Sequence, residues 1–217
     1  NGAMSEEFRH KPALGGPLLY GTLRRWESRS YSRSDRLIAI SRGVEHYIKD
    51  LAPEVGGRIT VLGNGIDPRE FHPAVDGAAV RRERGWGTAP VGIFVSAFRP
   101  WHGAHKLVEA MPFVLRRRPD FKLALVGDGP ERPRVAAMVE RMALQDAIDL
   151  PGAIAPAQVP FWVAAATVGL YYPDYHSRYG FLFDPIKIHE YMACGKPTGT
   201  IRQRFLGDAL AEADAGI

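Results

Sequence analysis

The stretch VGIFVSAFRPWHG, residues 91–103, joins an apolar run to a loop carrying a cation, an indole and an imidazole. From Val91 to Phe98 the only polar side chain is Ser96, which suits a strand buried on both faces rather than one with a wet side. Beyond Gly103, Ala104, Leu107, Val108, Met111, Val114 and Leu115 recur at spacings of three and four, so one face of a helix is expected to pack. Arg116, Arg117 and Arg118 then fall at its end, where cations favour both water and the helix dipole. Strand, loop and amphipathic helix together make one βα unit.

The same pattern repeats downstream. FKLALVG (121–127) reads as a strand running into the turn GDGP (127–130), followed by a helix whose buried stripe is Val135, Met138, Val139 and Met142. IDLPG (148–152) is a third strand, a helix around 158–165 uses Val159, Trp162 and Val163, and TVGLYYP (167–173) is a fourth strand. DYHSRYGF (174–181) is polar and turn-rich and reads as a loop; a helix over 186–194, a strand PTGTI (197–201) and a last helix from about Leu206 follow. Upstream, DRLIAIS (35–41) and RITVLG (58–63) are strand-like around a helix at 42–51, and NGIDPREFHP (64–73) has the composition of a connector. The expected class is α/β: a Rossmann-like parallel sheet with flanking helices over 91–217, a linker over 64–90, and a remnant βαβ unit in 1–63.

Composition narrows the possibilities. The 217 residues are 46% hydrophobic and 10% aromatic, enough for a sizeable core. A single cysteine, Cys194, excludes an internal disulfide framework and suits a reducing compartment. No apolar run has the length of a membrane span, so a cytoplasmic chain is expected, with peripheral membrane attachment left open. The net charge of +4 suits anionic partners. The arginine clusters are scattered and lack interleaved aromatics, which disfavours nucleic acid.

Ligands of parallel α/β sheets bind outside the carboxyl ends of the strands, which singles out the loops after each apolar run. The first offers Arg99, Trp101 and His102; the second offers Gly127, Asp128 and Gly129. Asp184 and Pro185 suit the N-cap and first position of the helix that follows. Lys187 lies in its first turn, where a cation opposes the dipole and an arriving anion would relieve the conflict. Glu190 stands one turn further on and is suited to accept hydrogen bonds from a diol. The same two residues also suit an ordinary i, i+3 ion pair. The histidines are dispersed, so no metal site is expected, and no G-x-G-x-x-G opens a helix after a strand, which disfavours a dehydrogenase-like dinucleotide domain.

In that order the motifs resemble the glycosyltransferases of family 4, enzymes of two-domain GT-B architecture. VLGNGIDPREFHP is similar to their interdomain linker, FVSAFRPWHGAHKLVEAM to the first strand, loop and helix of their donor domain, LALVGDGPER to its second strand and turn, and DPIKIHEYMACGKPTGT to their signature segment. SRSDRLIAIS resembles the closing part of the acceptor-side domain, so the likeness covers about residues 27–217. It implies a retaining transfer of sugar from a nucleotide diphosphate sugar of UDP or GDP type to a glycan, lipid or small-molecule acceptor, with no bound cofactor or metal. It further implies that Glu190 binds the ribose, that Lys187 and backbone amides bind the diphosphate, and that Gly127, Asp128 and Gly129 border the base. By the same likeness the donor domain is incomplete at its C-terminal end and most of the acceptor domain is missing, which leaves sheet edges open to self-association. A non-catalytic nucleotide-binding or interaction module on the same fold is the alternative. Three positions depart from the family pattern: Leu182 stands where many members have a Glu, and Ala97 and His102 stand where an Arg and a Lys are common. Arg99, Lys106 and Lys187 are the cations available to compensate.

Overall fold

A computed structural model describes residues 16–173 and 184–201; the expected loop at 174–181, Leu182 and the last helix from about Leu206 lie outside them. The described residues form two compact units, one up to Asn64 together with Asp184 and Pro185, the other from Gly65 to Pro173 together with 186–201.

The first unit contains α1 (Gly16–Ser32), β1 (Leu37–Ala39), α2 (Arg42–Leu51) and β2 (Ile59–Val61). β1 and β2 pair in parallel with Leu37 opposite Ile59, so the expected βαβ unit is present. Ser41 starts α2 by accepting the Val44 N–H at 3.1 Å on its side-chain oxygen, and the helix buries Val44, Tyr47 and Ile48. α1 was not expected from the sequence. Its inward side is polar: Glu27 is buried and accepts from the Tyr47 hydroxyl, and Ser28 donates to the Leu51 carbonyl at 2.8 Å. Apolar periodicity is blind to a face held by hydrogen bonds.

The second unit runs α3 (Ala78–Glu83), β3 (Val91–Val95), α4 (Ala104–Leu115), β4 (Lys122–Val126), α5 (Arg132–Arg141), β5 (Ile148–Gly152), α6 (Val159–Ala165), β6 (Val168–Tyr171), α7 (Ile186–Ala193) and β7 (Thr198–Thr200). Its strands form one parallel sheet in the order β5-β4-β3-β6-β7, so the architecture is the expected α/β sheet flanked by helices. β3 lies at the centre and every one of its residues is buried, as its unbroken apolar run requires. The stretch 64–90, read as a linker, does more than connect. It carries α3 and lends Phe71, Val80 and Trp86 to the core beside Val91, Ile93 and Val163, with Trp86 edge-on to Trp162 at 5.8 Å. The turn residues around it hid a small packed element.

Helix faces differ from expectation only at their margins. On α4 the buried residues are Ala104, His105, Val108 and Met111, while Leu107, Val114 and Leu115 are half-buried. Periodicity locates the middle of a stripe, but which flank turns inward is decided by the neighbouring elements. α7 docks on β6 through Tyr191, whose ring occupies the space where a side chain on Gly169 would start: an added Cβ there would lie 2.2 Å from the ring. The helix ends at Gly195 (φ +69°) with Lys196 N–H donating to the Tyr191 carbonyl and Gly195 N–H to the Met192 carbonyl, both at 2.9 Å. That pair of bonds is a Schellman turn, which halts the helix and returns the chain to β7. The Lys196 ammonium donates to the Ala164 carbonyl at 2.7 Å, placing a cation at the carboxyl end of α6.

Candidate functional site

The sheet leads from β3 through β4 to β5 on one side and resumes at β6 on the other, so the strand order reverses between β3 and β6. A crevice outside the carboxyl ends of these two strands is where such sheets take ligands. Two loops meet there. Gly103, at φ +71°, lies so close to the chain after β6 that an added Cβ would fall 1.8 Å from the Tyr172 carbonyl oxygen. The loop after β3 is also locked to the turn after β4: Ser96 N–H donates to the Val126 carbonyl at 3.1 Å, Phe98 N–H to the Asp128 carbonyl at 2.8 Å, and Glu131 N–H to the Phe98 carbonyl at 3.0 Å. A Cβ on Gly127 would sit 1.9 Å from the Ser96 carbonyl oxygen, and one on Gly129 would crowd the Phe98 backbone at 2.7 Å. Asp128 accepts the Gly129 N–H on its own carboxylate at 2.7 Å, a bond internal to the turn.

His102 sits in this interlocked loop. Its Nδ1 lies 2.6 Å from the Ala97 carbonyl oxygen and 2.9 Å from the Ser96 hydroxyl oxygen. A carbonyl only accepts, so Nδ1 carries the proton, and Nε2 of the neutral ring is left with its lone pair. Burial holds the imidazole below its ordinary pKa; the bond to Ala97 opposes the shift and the Arg99 charge adds to it. The ring stands 6.4 Å from that of Tyr171 and 6.1 Å from that of Trp101. The ring is thus an uncharged acceptor at neutral pH. His102 is expected to titrate below pH about 6.5, the ordinary histidine value. Because the unfolded chain takes up the proton first, stability from this residue is present above that value and lost as pH falls toward the folded midpoint. Nitrogen-15 NMR of the imidazole checks both tautomer and midpoint; a midpoint above 6.5 would contradict the burial argument.

Lys187 and Glu190 are brought together on α7. The Lys187 ammonium lies 3.1 Å and 3.0 Å from the two Glu190 carboxylate oxygens, so the i, i+3 pair is formed. Glu190 is 6% exposed, and a carboxylate so far from water needs a counter-charge. Each oxygen keeps a further lone pair, and the ammonium keeps donors beyond those it uses here. Tyr191 fixes the pair in place: its hydroxyl accepts the Val95 N–H at 2.9 Å, tying α7 to the carboxyl end of β3, and burial pushes the phenol pKa well up. Arg99 is exposed in the loop after β3. Asp184 is held in the first unit, where its carboxylate accepts the Asn64 N–H at 2.5 Å and its carbonyl accepts from the Asn64 side-chain amide at 2.6 Å.

Two residues that matter here escaped the sequence reading. Ser96 had a signal, being the one polar side chain in the run 91–98; Tyr191 lay in the segment already singled out, but its bond to β3 is a tertiary fact.

The profile of the family described as "Glycosyl transferases group 1" matches residues 89–212, more than half of the chain. The chain belongs to that family. Among curated relatives it is similar to a D-inositol 3-phosphate glycosyltransferase of Segniliparus rotundus, 27% identical over 196 residues, covering 88% of this chain and 42% of that protein. It is also similar to a GDP-mannose-dependent alpha-(1-6)-phosphatidylinositol monomannoside mannosyltransferase of Mycolicibacterium smegmatis, 33% identical over 108 residues, covering 49% of this chain and 28% of that protein. The chain therefore spans less than half the length of these relatives. Among solved structures, WaaG, a glycosyltransferase involved in lipopolysaccharide biosynthesis, aligns over all of this chain and 59% of its own length, with a TM-score of 0.74 and 17% identity. Alr3699/HepE of Anabaena, solved with UDP and glucose, aligns over 82% of this chain and 48% of its own, with a TM-score of 0.69 and 22% identity. At these identities the structures establish a shared fold, that of GT-B glycosyltransferases. No helix among the described residues is long and apolar enough to cross a membrane.

Proposed function

We propose that this group 1 family chain supplies the donor-binding half of a retaining glycosyltransferase, with a nucleotide diphosphate sugar seated at the carboxyl end of the second unit's sheet. The observation that carries this reading is the Lys187–Glu190 pair at 3.0 to 3.1 Å on a helix tied to β3 through Tyr191. An arriving diphosphate meets the positive end of α7 and takes the Lys187 ammonium. Glu190, released from the lysine, then accepts hydrogen bonds from the ribose hydroxyls. The Gly127–Gly129 turn borders the base, and the lone pair of His102 Nε2 accepts from a sugar hydroxyl. Arg99, Lys187 and the helix dipole stabilise the departing diphosphate, which is the charge that develops on transfer and needs no metal in this scheme. The Mycolicibacterium relative is GDP-mannose-dependent, both named relatives carry an inositol-containing acceptor in their names, and the Anabaena structure contains UDP, in keeping with a donor of either type and a polyol phosphate or lipid-linked acceptor.

Titration calorimetry with UDP, GDP, UDP-glucose and GDP-mannose tests the donor site. One nucleotide class is expected to bind between about 1 μM and 1 mM, the usual range for an enzyme's substrate. Absence of heat with all four would overturn it. A non-catalytic nucleotide-binding module is the second reading, favoured by the neutral His102 and by Ala97, which together thin the positive charge around a leaving group. Sugar transfer by the full-length protein excludes that reading.

A further inference from the structure

The Gly127 N–H donates to the Gly152 carbonyl at 2.8 Å, which fastens the turn after β4 to the end of β5. β5 arrives there with its register shifted: Asp149 lies opposite Ala124 and Gly152 opposite Val126, so Leu150 and Pro151 together face Leu125. Pro151 has no N–H for the ladder. Arg132, the first residue of α5, reaches into this corner. Its backbone N–H donates to the Gly129 carbonyl at 3.0 Å, and its Nη2 donates to the Leu150 carbonyl at 3.4 Å, longer than a usual N–H···O bond. A Cβ built on Gly152, at φ +85°, would lie 3.9 Å from the same nitrogen, so the guanidinium stands against the carboxyl end of β5.

A guanidinium carries five N–H donors, and this one spends them on a single long bond. Its Nε is buried with no acceptor, and no ion pair joins the group to a carboxylate among the described residues. The acids beside it in the chain are committed elsewhere: Glu131 pairs with Arg134 at 2.8 Å, and Asp128 accepts the Gly129 N–H at 2.7 Å. A buried donor without an acceptor costs free energy, so the group gains by meeting a ligand that offers two acceptors together. The part of the donor expected at this turn is the base. Guanine sets O6 and N7 side by side on one edge, at the spacing of an arginine fork. Uracil flanks O4 with an N–H donor on one side and a C–H on the other, so the fork meets one acceptor. We infer that Arg132 reads guanine in the donor, its two Nη groups donating to O6 and N7, and thereby selects GDP sugars over UDP sugars. The inference rests on the donor site proposed above and names the base which that site prefers.

Titration calorimetry of the chain with GDP, UDP and 7-deaza-GDP tests this. GDP is expected to bind about tenfold or more tighter than UDP, the discrimination that one bidentate arginine pair supplies. 7-Deaza-GDP keeps O6 but has a C–H in place of N7, and should bind about tenfold more weakly than GDP, the loss of one hydrogen bond to a charged group. In Arg132→Met, with circular dichroism unchanged, GDP and 7-deaza-GDP should bind alike, and the advantage of GDP over UDP should fall by about the same factor while UDP affinity stays as in the wild type. Should that variant not fold, the comparison of GDP with 7-deaza-GDP on the wild-type chain decides by itself. Binding of no nucleotide overturns the donor site and this inference with it. UDP held as tightly as GDP, or 7-deaza-GDP held as tightly as GDP, overturns the base assignment alone and leaves the donor site standing. A preference for GDP that survives Arg132→Met in a folded chain places recognition elsewhere and overturns the role of Arg132.

Discussion

Gly103→Ala lowers the stability of the second unit by about 2 to 5 kcal/mol, the sum of a left-handed backbone imposed on a residue with a side chain and an overpacked contact. The position is held at φ +71°, and the new methyl would lie 1.8 Å from the Tyr172 carbonyl oxygen, a backbone atom that cannot swing aside as a side-chain tip can. Gly85→Ala is the natural comparison. Gly85 has φ +64° but open space around its missing Cβ, so it should cost only the backbone part, about 1 to 2 kcal/mol. The difference between the two urea midpoints measures how tightly the loop after β3 is pressed against the chain after β6. If Gly103→Ala unfolds no earlier than Gly85→Ala, the two loops do not meet as described and the crevice at the reversal of strand order is not pre-formed.

Glu190→Ala weakens nucleotide-sugar binding by about 1 to 3 kcal/mol, the range for losing hydrogen bonds to a charged group and, at the upper end, more than a hundredfold in affinity. The change also frees Lys187, whose side chain is 25% exposed and whose ammonium can be hydrated in place of its lost partner. The free lysine is then available to the diphosphate without first leaving a carboxylate, so part of the loss is offset. Lys187→Ala separates the two contributions: it removes a charge that pairs with phosphate, and binding should become less sensitive to salt. Calorimetry at two ionic strengths, with circular dichroism as the check on folding, reads both. Unchanged affinity in Glu190→Ala would reject the ribose contact and leave the pair as a structural tie within α7.

Much of the frame was legible because buried parallel strands are written as unbroken apolar runs. Val91–Val95, Lys122–Val126 and Ile148–Gly152 lie within the stretches read as strands, and α2 and α6 lie within one residue of theirs. The misses share a cause. α1 is held on its inward side by Glu27, Ser28 and Arg24, and α3 with its neighbours Phe71 and Trp86 is embedded in turn-forming residues, so neither shows a long apolar period. In the candidate site, Lys187, Glu190 and His102 could be singled out from residue type and place in the pattern. Their states could not. Whether Lys187 and Glu190 face a ligand or one another depends on rotamers; whether His102 is a cation or neutral depends on the burial of its ring, and which ring nitrogen keeps a lone pair depends on the Ala97 carbonyl it meets five residues back in the chain.

The chain's order of apolar runs, turns and amphipathic segments by itself determined an α/β sheet and the loops that border its ligand edge, because side-chain period and turn chemistry are local properties that need no partner. Only the tertiary structure decided that Tyr191 closes over Gly169 to reach Val95, that Gly103 touches Tyr172, and that Trp26 is left in water. Those outcomes depend on which surfaces separated by tens of residues come into contact, and close packing admits very few such pairings.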